Sequence, residues 1–199
     1  MDRGKKTVSS VVLLQQERKR GDNMGKVMTL RGQFTIADNA RFLNGQIFSY
    51  EANNLTRGWK VNNFYWWPAT LRGETGTGDG QFMVAATLYT DNTGNIGFED
   101  ISGCDDNRAI AWVQRGYNRR QSAIGDFITT PTGLGDNRAL LDPDHIVNNA
   151  LFINAYSTSD STTSPERLYN YYVELEEIKL TPAQAILAII KGKAQDVEN

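Results

Sequence analysis

From Val27 onward the chain alternates apolar and polar residues with a period of two, the signature of strands that bury one face. Met28, Leu30, Phe34 and Ile36 share one side of the first run, and Thr29, Arg31, Gln33 and Thr35 share the other. Asp38–Asn44 reads as a turn region and Gln46–Asn53 as a second strand. Trp59–Ala69 is a third, with a slip of phase: Trp59 and Val61 are odd-numbered, Phe64 and Trp66 even. One face can hold both pairs only if an extra residue is inserted, so the pattern predicts a β-bulge at Asn62–Asn63. Neighbouring strand residues point to opposite faces, so Trp66 and Trp67 cannot share a core. One of them must meet a second surface.

Further along, Gly73–Gly80 (GETGTGDG) reads as a polar, glycine-rich hairpin tip. Gln81–Thr90 is nearly continuous in apolar character, which predicts a central strand buried on both faces. Asp91–Asn107 is loop-rich, with turn signals at DNTGN and SGCDDN. Ala109–Tyr117, Phe127–Thr130 (within the long stretch Asn118–Asp144), His145–Tyr156 and Arg167–Leu180 are the remaining strand candidates. Ser157–Pro165 reads as an exposed loop between the last two. In the final strand Tyr169, Tyr171, Val173 and Leu175 are odd, but Ile178 and Leu180 are even, predicting a second bulge near Glu176–Glu177. About seven or eight strands, with helix only at the ends, predict a mainly β chain built as an antiparallel two-sheet sandwich. Several long connections favour a jelly roll.

The last strand candidate runs straight into a helix signal. Thr181 supplies an N-cap oxygen, Pro182 loses nothing at N1, and Gln184 at N3 can reach back. The helix is expected over Pro182–Lys191, ended by Gly192 in a left-handed conformation. Ala183, Ile186, Leu187 and Ile190 fall on one stripe, and Ile189 widens it. A helix with so little polar surface needs a cover, either the body of its own domain or another subunit. The organisation is then an N-terminal arm over 1–26, a sandwich over 27–180, and a helix with its tail over 181–199.

Charge sharpens the first of these divisions. The net charge of −2 gives no overall pull toward nucleic acid or membrane. Yet residues 1–26 hold Arg3, Lys5, Lys6, Arg18, Lys19, Arg20 and Lys26 against only Asp2, Glu17 and Asp22. A basic arm on an acidic body results. Arg18, Lys19 and Arg20 form its only cluster, and the candidate nucleic-acid contact: weak in one copy, strong when many copies sum their contacts. The single cysteine, Cys104, permits neither an intrachain disulfide nor a thiolate zinc site. No run of eighteen apolar residues exists, so no membrane span is expected. Val8–Leu14 is short and lacks a small-residue cleavage site, so synthesis in a cytosol is expected.

Candidate chemistry is sparse. His145, the only histidine, follows Asp142-Pro143-Asp144, but no nucleophile elbow accompanies it, and a structural histidine is expected. Asp91, Asn92, Asn95, Glu99, Asp100, Asp105 and Asp106 gather oxygen atoms without calcium-loop spacing, and such residues more often serve turns. Gly73–Gly80 has no G-K-[ST] ending and opens no helix, so it is no phosphate cradle. Glu174 and Glu176 share one face of one strand about 7 Å apart, a spacing a hydrolase could use but one that usually marks solvated carboxylates. Trp59, Trp66, Trp67 and Trp112, with Tyr65, Tyr89 and Tyr117, are mostly core, with an outward tryptophan left for a subunit contact or a glycan. No catalytic residue, cofactor site or metal site is assigned, and the chain is expected not to be an enzyme.

A flexible basic arm, a β-sandwich rich in Asn, Thr and Gly, long polar loops and a terminal apolar helix together resemble a small single-jelly-roll capsid protein. The segments LRGQFTIAD, DNRAIAWV and YYVELEEIKLTPAQAILAIIKGKAQDVE are similar to short virion proteins of marine bacteriophages. The resemblance implies a virion structural protein that self-assembles in many copies, alone or with other virion proteins. The oligomer contacts expected are Ile186, Leu187, Ile189, Ile190 and Trp67. The arm departs from the strongly arginine-rich form of many small viruses. The rival expectation is a carbohydrate- or receptor-binding sandwich on a virion appendage.

Overall fold

The computed structural model describes residues 26–50, 56–69, 80–121, 127–132, 139–159 and 166–193. Among the described residues nine strands and two helices follow in order: β1 (Val27–Ala37), β2 (Ala40–Ser49), β3 (Arg57–Pro68), β4 (Gly80–Tyr89), α1 (Phe98–Ser102), β5 (Ala109–Gln121), β6 (Phe127–Thr132), β7 (Leu140–Leu141), β8 (Ala150–Ser159), β9 (Glu166–Lys179) and α2 (Pro182–Lys193). They form two antiparallel sheets, β1-β9-β3 and β2-β8-β4-β5-β6, with β7 joined to β5. The pairs are nested: β4 with β5 innermost, then β2 with β8, then β1 with β9. This is the jelly-roll pattern of one long antiparallel ribbon folded over itself. Leu30, Phe34, Val61, Phe64, Trp66, Tyr171 and Val173 from the first sheet meet Phe82, Val84, Leu88, Val113, Leu151 and Ile153 from the second in one core.

The bulge in β3 lies where the phase slip put it. Val61 pairs with Leu175 and Asn63 with Glu174, leaving Asn62 as the extra residue. Trp59, Val61, Phe64 and Trp66 are consequently all buried. β4 is central, with Val84 through Tyr89 buried.

Several expectations are corrected, beginning with α1, which lies mid-chain where helix was expected only at the ends. Four more concern the strands. First, β9 has no bulge: it pairs in unbroken register with β1 from Glu176 back to Glu166. Leu180 is buried because it lies beyond the strand, in the turn toward α2, so its parity says nothing about β9. Second, β3 and β4 do not pair as a hairpin but sit in different sheets; the expected hairpin tip, Gly73–Gly80, falls, all but Gly80, on residues 70–79, which lie outside the described residues. Third, Asp38–Asn44 is not one turn. Asn39 and Asn44 both take positive φ (53° and 56°), but Ala40 already begins β2 between them. Fourth, β8 starts at Ala150 and runs to Ser159, five residues later than the pattern suggested and three residues into the predicted loop. His145 and Val147 serve β3, in the opposite sheet.

The misread serines of β8 have a buried purpose. Asp38 and Arg167 form an ion pair of 2.6 Å, their side chains 0 % and 1 % exposed. The Ser157 and Ser159 hydroxyls donate to the two Asp38 carboxylate oxygens. The Arg167 guanidinium stacks 4.4 Å over the Phe82 ring. This clamp ties the β1–β2 corner to β4, β8 and β9, and its polar atoms are satisfied within the protein.

Candidate functional site

Two of the surfaces that expose apolar groups contain residues expected to make contacts; Leu140, and Met83 and Phe98 around α1, are exposed elsewhere. The first is α2. Thr181 N–H donates to Gln184 Oε1 (2.9 Å) and Gln184 N–H to Thr181 Oγ1 (3.3 Å), the reciprocal cap expected from the sequence. The helix does not stop at Gly192 but continues to Lys193. Its small side is the one that packs: Ala185 is 5 % exposed, and Leu180 at its root is buried. The large residues face outward, with Ile186 58 %, Leu187 64 % and Ile190 56 % exposed, and Ile189 on the margin at 37 %. A surface helix ordinarily turns such residues inward. This one is reversed.

The second surface is the outer face of the three-stranded sheet. Trp66 is wholly buried and Trp67 exposed, as their adjacency requires. Trp67 pairs with Asn170, and Asn170 with Gln33, whose Nε2 donates to Asn170 Oδ1 at 2.8 Å. One row along, Tyr65 lies edge-on to Tyr172, ring centroids 6.0 Å apart. Glu174 and Glu176 share this face, but each accepts a side-chain hydrogen bond, from Asn63 (3.1 Å) and Asn62 (2.9 Å). They are anchored side by side on one strand, without an opposing carboxyl across a cleft.

The outer face of the five-stranded sheet is different. The β4–β5 connection folds back over it, with Ile101 of α1 buried against Ala85 and Tyr156. Thr87 Oγ1 donates to the Ile101 carbonyl, Tyr89 OH to Asp100 O (2.9 Å), and Trp112 Nε1 to Gly103 O (2.7 Å). Burial, then the nearby Asp106 and Asp100 carboxylates, drives the Tyr89 hydroxyl well above its usual range. Several acidic and amide side chains of this connection are engaged in local structure. Asp91 accepts from Asn92 N–H, Asn92 from Gly94 N–H, Asp100 from Gly97 N–H, and Asp106 from Arg108. Among the described residues no three His, Cys, Asp or Glu side chains converge as a metal site would require. A shallow cleft of about 500 Å³ remains beside α1, lined by Asn39, Met83, Phe98, Glu99, Tyr156 and Thr158.

His145 is a structural element of the β3 edge. Val61 N–H donates to its Nε2 at 2.8 Å, and its Nδ1–H donates to the Asp142 carbonyl. A backbone amide can only donate, so the ring is fixed as the neutral Nδ1–H tautomer. Burial lowers its basicity, opposed by Asp142 and assisted by Lys60 and Lys191. The sequence singled out this residue but gave no sign of this bond, because the Val61 amide that it serves lies on the open edge of a strand more than eighty residues earlier.

Arg18, Lys19, Arg20 and the rest of the arm through residue 25 lie outside the described residues. Among the described residues no helix is long and apolar enough to cross a membrane. No protein-family model matches the chain, and no curated protein matches its sequence. One solved structure it matches is from Desmodium yellow mottle tymovirus, at 13 % identity, covering 91 % of this chain and 98 % of that one, with a TM-score of 0.24. At that score the two chains share no overall superposition, and the likeness fixes neither fold nor role here.

Proposed function

We propose that this chain is a virion structural protein of the capsid type, which assembles in many copies through the outward face of α2 and the outer face of the three-stranded sheet. The observation that carries the reading is the reversed helix: Ile186, Leu187 and Ile190 stand in solvent while Ala185 packs. Burying a full Ile or Leu side chain contributes about 1.5–3 kcal/mol, so these half-covered residues would contribute about 1–2 kcal/mol each on contact with a neighbour. Repetition by symmetry turns such modest contacts into a closed shell. A basic arm repeated on its inner wall would let Arg18, Lys19 and Arg20 contribute weak contacts to a nucleic acid.

Negative-stain microscopy and sedimentation of the purified chain test this. Rings, tubes or shells are expected, and the triple change Ile186→Asn, Leu187→Asn, Ile190→Asn should leave a folded monomer. A wild-type chain that stays monomeric at high concentration in every buffer would overturn the reading.

One observation favours a second reading, a carbohydrate-binding sandwich on a virion appendage. Trp67, Tyr65 and Tyr172 share a face with the Gln33–Asn170 amide pair, and aromatic faces with flanking amides suit sugar rings and hydroxyls. Binding on a glycan array that Trp67→Ala abolishes, without particles by microscopy, would decide for it.

A further inference from the structure

The only histidine of the chain sits on the segment that holds the C-terminal end of the reversed helix. Asp142, three residues before His145, holds the Lys191 ammonium of α2 through its carboxylate. The same segment laces the two sheets together: Ala139 N–H donates to Phe64 O (3.1 Å), Asp142 N–H to Ile110 O (2.9 Å), and Val147 exchanges both backbone bonds with Trp59. Sheet pairing supplies no partner for the Val61 amide at this edge; the imidazole does. One ring therefore closes the ladder between Trp59 and Phe64.

We propose that His145 is an acid-operated latch for α2: when its ring gains a second proton, the 142–147 segment leaves the β3 edge and takes the Asp142 anchor of Lys191 with it. The proton must go to Nε2, since Nδ1 already carries one. Nε2–H would then face Val61 N–H, donor against donor, in a site only 3 % exposed. The charged groups facing the ring are Asp142 on its own segment, Lys60 from β3 and Lys191 from α2. Both lysines oppose the new charge. Asp142 favours it, but that carboxylate is already engaged by Lys191.

The sign follows from burial. The ring is harder to protonate folded than in the unfolded chain, where its value is 6.5. Its contribution is intact above that pH and is lost as pH falls toward the depressed folded value. Asp142 responds separately. Burial raises its carboxyl, but Lys191, the Asp144 N–H and His145 together outweigh that and hold it below 3.8. Titration of Asp142 itself would therefore break the salt bridge only in stronger acid, so in mild acid the bridge is lost through the movement that His145 sets off.

This latch rests on the assembly reading for its purpose, because α2 carries the exposed isoleucines, but its operation is testable in a single copy. Amide hydrogen exchange of the full chain, corrected for intrinsic pH effects, should be followed from about pH 7.5 to 4.5. Protection of residues 139–147 and 182–193, relative to β4 and β8, should fall by up to about tenfold per pH unit below 6.5. His145→Gln keeps an acceptor for Val61 but cannot be charged, and should hold protection across this range. Constant protection in wild type, equal loss in the variant, or simultaneous loss from β4 and β8 would overturn the latch. If the variant fails to fold, the single imidazole signal in the wild-type spectrum decides: a ring titrating at or above 6.5, without change in α2, overturns it. Light scattering run in parallel separates the two ideas. Release of α2 without any assembly at neutral pH would remove the shell and leave the latch; a shell whose α2 stays protected in acid would do the reverse.

Discussion

The two outer faces of this sandwich have been treated in opposite ways. Over the five-stranded sheet the β4–β5 connection closes down, inserting Ile101 and capping Thr87, Tyr89 and Trp112 with its own backbone carbonyls. Over the three-stranded sheet no described element lies, and Trp67 and Leu168 remain 37 % exposed; on the covered side Met83 and Phe98, at the cleft beside α1, are comparably exposed. Both sheets bury an inner face of similar character, so the core does not explain the contrast. Among the described residues, one outer face is covered by the protein's own connection, while Trp67 on the other face and Ile186, Leu187 and Ile190 on α2 stand exposed. That contrast separates apolar residues that hold the fold from apolar residues available for contact.

Three changes probe it, in falling order of effect on stability. Asp38→Ala removes the partner of a buried guanidinium at the corner joining both sheets, and should cost about 3–5 kcal/mol. Urea unfolding would register this as a lower midpoint, and both faces should unfold together. Ile101→Ala hollows the cover alone and should cost about 2–4 kcal/mol. Its marker is a loss of Trp112 burial before the core opens, read by fluorescence quenching; an unchanged midpoint would mean that the cover contributes no more than the bare face. Trp67→Ala should cost about 1–2 kcal/mol, the least of the three, because more than a third of the residue is already in water. Under the assembly reading it should still weaken particle formation in a sedimentation assay. A large stability loss there would place Trp67 with Ile101 as part of the fold and erase the contrast.

Much of this was legible in residue order, and the reasons are local. Alternation alone divides Trp66 from Trp67, and a phase slip locates the bulge, because side-chain direction in a strand is fixed by counting. The α2 cap was legible because Thr181, Pro182 and Gln184 act within one turn. What could not be read depends on partners far away in the chain. A glycine-rich connector has the same composition whether it turns back or crosses to the other sheet, so the β3–β4 link looked like a hairpin. Ser157 and Ser159 resemble a loop until Asp38, more than a hundred residues earlier, is seen to accept their hydrogen bonds. Five-residue α1 is too short to show a periodicity. The reversed orientation of α2 was stated only as a choice between two covers, since an apolar stripe names a side and not the neighbour it faces.

Asn62 carries a last consequence. It stands outside the pairing between β3 and β9, so removing it would bring Val61 and Asn63 into ordinary alternation, with every tryptophan keeping its side. A deletion farther along the strand, at Tyr65 for example, would instead exchange Trp66 for Trp67 and turn the interior inside out. Descendants of this gene can therefore shorten the strand at one spot and at few others, and length differences among its relatives should collect there.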